Sequence, residues 1–203
     1  MAAALLLPRI LDRLPDRRVM LPAAVFLALV QLALAVLFLG TAWFGAQTYT
    51  TAAAGLAWPA LLIGWGLLGV GYSAIMTPTG RLLRRSAQPA DRPAVFAAQF
   101  ALSHACWLLT YPLAGWLGSA GGIPMTLVVM GALTLLGAGL AAWLWPAADP
   151  EVIEHEHSEL APDDPHLRGQ NRGRRRDDRR HAHAFVIDEL HRHWPARATS
   201  RRP

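Results

Sequence analysis

The chain has 203 residues, 53% of them hydrophobic and only 16% charged, with a formal net charge of +5. That charged share lies well below the roughly 25% of soluble domains, and no Asp, Glu, Lys or Arg occurs in residues 19–80 or 93–148. Helices of a soluble protein need polar outer faces; these stretches have none, which excludes a soluble globule and points to a bilayer.

The basic balance does not indicate a nucleic-acid binder, because the charges are sorted along the chain rather than gathered on one face. All 19 basic residues are Arg: four lie in residues 9–18, four in 81–92 and eleven from 168 onward. The intervening connections, about 40–55 and 118–124, carry none. Arg-bearing segments alternating with Arg-free ones are the pattern of cytoplasmic retention of positive charge. The expected localisation is therefore the cell's inner (plasma) membrane, multi-pass, with the C-terminus cytoplasmic. A single Cys, Cys106, cannot close an intramolecular disulfide.

In chain order, residues 1–7 are too short to cross a bilayer and read as a helix stub. Residues 8–18 form a charged turn. The first span is expected at 19–39, followed by Trp43 and Tyr49 at the membrane interface, where amphipathic rings settle. The second lies at 58–76, with Gly64, Gly66, Gly69 and Gly71 allowing close helix approach. After a basic loop at 77–93, a third span runs from 94 to 117, broken by Pro112, and a fourth from 125 to 145. Gly131, Gly137 and Gly139 offer packing faces in the fourth. A span needs about 20 apolar residues, and each of these segments supplies them. The expected fold is thus all-α and integral to the membrane. A transmembrane domain at 1–146 holds four full helices plus the stub, and a cytoplasmic tail follows at 147–203. The tail is rich in His, Arg, Asp and Pro and is expected to be largely disordered alone. Within it, residues 185–190 form a short apolar patch suited to docking.

The turn Pro8-x-x-x-Asp12-Arg13-Leu14-Pro15-Asp16-Arg17-Arg18 resembles the Gly-x-x-x-Asp-Arg-x-Gly-Arg-Arg signature of the major facilitator superfamily. Asp12, Arg13, Arg17 and Arg18 match in type, while Pro replaces both glycines and Asp16 adds one residue. Tyr111-Pro112-Leu113-Ala114-Gly115 is similar to the Pro-x-x-Gly end of an antiporter signature, with Pro112 and Gly115 as the matching pair. The order of turn, spans, basic loop, spans and tail resembles the C-terminal half of such a transporter. The His-bearing tail is similar to those of bacterial members, some linked to nickel resistance. The resemblance implies that Asp12, Arg13, Arg17 and Arg18 stabilise one of the alternating conformations, and that Pro112 and Gly115 shape a kink. It also implies an N-terminal half, in the same gene product or as a split partner, because the family rocks two halves about a midplane site.

Among membrane-depth side chains, His104 is the conventionally ionisable one. Ionisable groups within a bilayer are costly and mark substrate or proton paths; a hydrogen bond to a neighbouring helix, through Ser103, is the structural alternative. Gln99, about one turn away, joins it as a candidate for the transport path. Gln31, Tyr72 and Ser73 serve as helix glue or as cavity lining. In the tail, His155/His157, His181/His183 and His191/His193 form three His-x-His pairs, with His166 beside them. Residues i and i+2 of an extended chain point the same way, and imidazole suits zinc, nickel and copper. Nickel or zinc ions are therefore expected tail ligands, with no cofactor required.

No nucleophile, phosphate loop or dinucleotide fingerprint is present, so an enzyme is not expected. The sequence reads as part of a secondary-active permease, a proton-coupled exporter of metal cations of the nickel type or of small molecules. Its partners are the lipid bilayer, the N-terminal half and the substrate. The alternative is a small non-transporting membrane protein whose His-rich tail senses or buffers metal.

Overall fold

The computed structural model describes residues 14–45, 51–147, 152–156, 180–191 and 193–194, with the backbone alone at 41–45, 51–54, 56–57, 154–156 and 180–184. Three helices dominate: α1 (Asp16–Gly45), α2 (Thr51–Arg85) and α3 (Arg92–Leu144). All three contain stretches long and apolar enough to cross a membrane. Two strands, β1 (Val152–Glu156) and β2 (Arg180–Ala184), follow in sequence and pair antiparallel. The stub at 1–7 and the turn residues Asp12 and Arg13 lie outside the described residues, as does Tyr49.

Helix ends follow local chemistry. Asp16 occupies the first position of α1, where a carboxylate meets the positive end of the helix dipole. α2 continues past the expected span into the basic loop and ends with Arg84 and Arg85, which complement the dipole's negative end. The connection thereby shrinks to residues 86–91. Ser86 donates its hydroxyl to the Leu83 carbonyl at 3.1 Å, closing the last turn. Pro93 stands in the first turn of α3, where its missing N–H costs nothing.

The 53-residue α3 absorbs both the third and the fourth expected spans. A straight helix of that length would measure about 80 Å, well over twice a hydrocarbon core of about 30 Å. Gly122 interrupts it, with φ 75° and ψ −175°, a backbone region an L side chain rarely enters. A Cβ on Gly118 would lie 3.8 Å from the Thr126 hydroxyl. Eight residues along a continuous helix span about 12 Å, so the chain folds back here. The outward connection expected at 118–124 is therefore compressed to a single non-helical residue. Pro112, expected to break the third span, lies within regular helix; the interruption falls at Gly122 instead. Proline removes one hydrogen bond but leaves φ helical, whereas Gly122 leaves the helical region altogether.

The core is built around α1. Gly64 and Gly71 of α2 meet Leu34 and Leu27 of α1, so the two helices run antiparallel. On the other side, Gly131 of α3 approaches Leu32 and the Ala28 carbonyl. Ala28 and Ala35 are fully buried. Without a hydrophobic drive between helices in lipid, such small residues let backbones approach and dispersion act. Gly66, Gly69, Gly137 and Gly139 face open space rather than a helix.

Some stretches of the tail, expected to be largely disordered alone, are ordered among the described residues. Val152–Glu156 and Arg180–Ala184 form a ribbon, and residues 185–194 dock onto the α2–α3 connection. Composition undercounted the apolar and aromatic groups available there: Phe185, Ile187, His191 and Trp194 act together with the end of the bundle.

Candidate functional site

Among the described residues, Arg17, Arg81, Arg85 and Arg92 gather at one end of the bundle. Arg81 donates through Nε to Asp16 Oδ1 at 3.1 Å, and its Nη2 forms a closer ion pair with the same oxygen. Asp16 is buried, its side chain 1% exposed, while Arg81 keeps 38%. Arg17 donates to the carbonyls of Trp145 and Ala142 at 3.1 and 3.3 Å, satisfying the orphan carbonyls that end α3. The charged turn thus ties α1 to the ends of both α2 and α3. Arg18 is exposed.

Asp12 and Arg13 lie outside the described residues; the ion pair to Arg81 is made by Asp16, the residue added relative to the signature. The available signal was its place after Pro15 at the start of an apolar run, a helix-start pattern.

Beside this cluster lies the docked tail. The Ile187 amide donates to the Arg85 carbonyl at 2.9 Å, and Arg92 donates to the Ile187 carbonyl at 3.4 Å. Phe185 is 3% exposed and meets His191 and Trp194 edge-on, with centroids 5.0 and 4.9 Å apart. The Arg85 guanidinium sits 5.4 Å from the Trp194 ring centre. A cavity of about 340 Å³ opens between Leu82, Leu83, Arg85, Ser86, Trp145 and Trp194.

Asp188 closes the docked segment. The Leu190 and His191 amides and His191 Nδ1 all donate to its Oδ1, at 3.0, 2.8 and 2.8 Å. Partial burial alone would raise its pKa, but the His191 backbone and side-chain bonds, the His191 charge and the Leu190 amide outweigh it and hold the carboxyl below its ordinary value. A depressed folded pKa stabilises the segment above the unfolded value of 3.8 and loses that contribution only as pH falls through the still lower folded value.

At membrane depth, Phe100, His104, Trp107 and Tyr111 form a ladder on one face of α3. Successive ring centroids are 3.9, 4.7 and 6.0 Å apart. His104 Nδ1 lies 2.8 Å from the Phe100 carbonyl. A carbonyl only accepts, so Nδ1 is the donor in this bond. Ser103 Oγ is 3.4 Å away on the same helix; the expected bond through Ser103 to a neighbouring helix is absent among the described residues. Gln99, five residues before His104, is half-buried, and Pro112 and Gly115 are exposed. Gln31, by contrast, does act as glue, donating to the Thr134 hydroxyl of α3 at 3.4 Å. An apolar groove of about 560 Å³ between α1 and α3, near Phe26 and Leu135, contains none of the polar candidates.

The described tail histidines fall into two places, the docked segment and the ribbon. His191 is buried against Asp188, and His193 is exposed. His155, His181 and His183 stand on the ribbon. His157 and His166 lie outside the described residues. Among the residues whose side chains are described, no three His, Cys, Asp or Glu come close enough to hold a metal ion.

The family model described as Major Facilitator Superfamily matches residues 1–196. The chain belongs to that superfamily. Membership makes it a multi-pass transmembrane transporter protein and favours transport over a non-transporting sensor. It also agrees with the non-enzymatic reading, since this is a family of transporters. No curated protein and no solved structure matches the chain.

Proposed function

We propose that this chain forms one bundle of a secondary-active exporter coupled to protons, with the His104 face of α3 lining the path. The carrying observation is the ladder from Phe100 to Tyr111 with His104 bonded only within its own helix among the described residues. An ionisable ring at membrane depth is costly, and such groups mark substrate or proton paths. Nδ1 is committed to the Phe100 carbonyl, which leaves Nε2 as the ring nitrogen available to the path. Gln99, five residues before His104, lies about 140° round the helix from it and so falls off this face. Residues 92–121 and 123–144 each exceed the length of one crossing, so the fold-back at Gly122 supports four crossings in total. The Arg-rich end, which carries the tail, then faces the cytoplasm.

Alternating access rocks one bundle against another. The mostly exposed face of residues 92–121 supplies a surface for a second bundle of the same family. Nickel-like metal cations and small organic molecules are the substrate classes the reading admits.

Cells lacking the locus, and the same cells complemented with wild type or His104→Ala, test the proposal against a panel of metal salts and lipophilic drugs. Deletion is expected to sensitise cells to at least one compound, and His104→Ala to fail to rescue at wild-type membrane abundance. Full rescue by His104→Ala removes His104 from the path; unchanged susceptibility after deletion overturns export.

A further inference from the structure

The ribbon in the tail brings together histidines that sequence spacing keeps apart. β1 and β2 are antiparallel with His155 opposite His181 and Ile153 opposite His183. Successive strand positions alternate between faces, and directly opposed positions share one. Positions 153, 155, 181 and 183 therefore fall on one face, and Glu154, Glu156, Arg180 and Ala182 on the other. Three His positions from two distant segments share a single face. Opposed positions hold their Cβ atoms about 4.5–5.5 Å apart and diagonal ones about 7–8 Å. That spacing is within reach of one ion bound by imidazoles at about 2.0–2.1 Å. The grouping differs from three separate His-x-His pairs: it needs both strands and leaves His191 and His193 out.

The second observation is continuity. β2 ends at Ala184, and the next residue is Phe185, buried against His191 and Trp194. Two residues later the Ile187 amide bonds to the Arg85 carbonyl. No linker separates the ribbon from the segment docked on the α2–α3 connection.

We propose that His155, His181 and His183 bind one divalent ion of borderline softness, nickel(II) or zinc(II), and that the bound ion holds residues 185–194 on the α2–α3 connection. An all-imidazole donor set suits these ions and disfavours magnesium and calcium, which take oxygen ligands. A two-stranded ribbon alone is marginal in water. An ion bridging both strands offsets the entropy of closing the chain between them, so binding energy becomes folding energy. Because the docked segment begins where β2 ends, stabilising the ribbon raises the docked population. Arg85 and Arg92 then stay engaged by Ile187 and Trp194, and the connection between α2 and α3 is restrained. The site is independent of which substrate the bundle carries, and it can stand if the exporter reading fails.

The experiment uses the full chain in lipid nanodiscs, titrated with zinc(II) alone and nickel(II) alone by calorimetry. Amide hydrogen exchange at Ile187 is read in parallel. One ion per chain is expected. His155→Ala and His181→Ala should each weaken binding by at least about 10–100-fold, the cost of losing even a supporting partner at a metal site. His193→Ala should bind as wild type does. Zinc should slow exchange at Ile187 in wild type and leave it unchanged in His155→Ala. Equal affinity in wild type and His155→Ala overturns the two-strand site. Binding that leaves Ile187 exchange unaltered overturns the coupling to docking.

Discussion

Helix α1 and the first segment of α3, residues 92–121, are both apolar, yet the structure uses them in opposite ways. α1 is the centre of the bundle, with α2 on one side and the second segment of α3 on the other. Ala23, Ala28, Val30, Leu34 and Ala35 are buried. Of residues 92–121, Leu117 alone is buried, while Phe100, Leu102, Leu108, Leu109, Tyr111 and Trp116 are exposed. Hydropathy therefore does not distinguish a helix that packs from one that presents a face. In lipid the distinction comes from small residues and polar pairs at the contact. α1 has both, in Ala28, Ala35, Gln31 and Asp16. The first segment of α3 carries large aromatics and a His bonded within its own helix.

The largest break in this comparison should come from the ion pair that anchors α1. Asp16→Ala leaves the Arg81 guanidinium without its carboxylate at a site where Asp16 is buried. Breaking a buried pair costs about 3–5 kcal/mol; with Arg81 at 38% exposure, water recovers part of that and the expected loss is nearer the lower limit. Thermal unfolding of the purified chain, followed by helical circular dichroism, should show a clear fall in midpoint. The double variant with Arg81→Ala should be less destabilised than the sum of the two single changes. An Asp16→Ala midpoint equal to wild type would mean that the pair does not anchor the bundle.

A smaller effect is expected where α2 touches α1. A Cβ on Gly71 would lie 2.7 Å from Leu27 and 3.1 Å from Phe26, whereas one on Gly69 meets nothing within 4 Å. Gly71→Leu should destabilise by about 1–3 kcal/mol through overpacking, and Gly69→Leu should be close to neutral. The same unfolding assay separates them. Equal effects at both positions would show that helix propensity, rather than packing, decides.

Much of this architecture was legible in the sequence because charge silence and Arg sorting are one-dimensional signals. Residues 19–39 lie inside α1, 58–76 inside α2 and 94–117 inside α3, while 125–145 overruns the end of α3 by one residue. Glycine spacing was less informative. Gly64, Gly71 and Gly131 contact a neighbour and Gly66, Gly69, Gly137 and Gly139 do not, because the face a neighbour occupies is a tertiary fact. The reversal at Gly122 was hidden for another reason. Residues 118–124 read as a connection, but one glycine at positive φ accomplishes the turn. The docked tail was anticipated only as an apolar patch at 185–190; Trp194 and the receiving Arg85 are far apart in sequence. The Asp16–Arg81 pair joins residues 65 positions apart, and no local motif announces it.

The smallest effect bears most directly on the contrast between the two helices. Gln31 donates to Thr134 across the α1–α3 contact, whereas His104 bonds to Phe100 within its own helix. Interhelical side-chain hydrogen bonds in membranes average about 0.6 kcal/mol, because the separated helices also find partners. Gln31→Leu should therefore lower the unfolding midpoint slightly but measurably. Its effect should disappear when Thr134→Val is already present, since the acceptor has gone. His104→Leu removes no bond between helices among the described residues, so its midpoint should match wild type. If His104→Leu destabilises as much as Gln31→Leu, the His104 face is a packing surface like α1. Its claim to line a transport path then loses its structural basis.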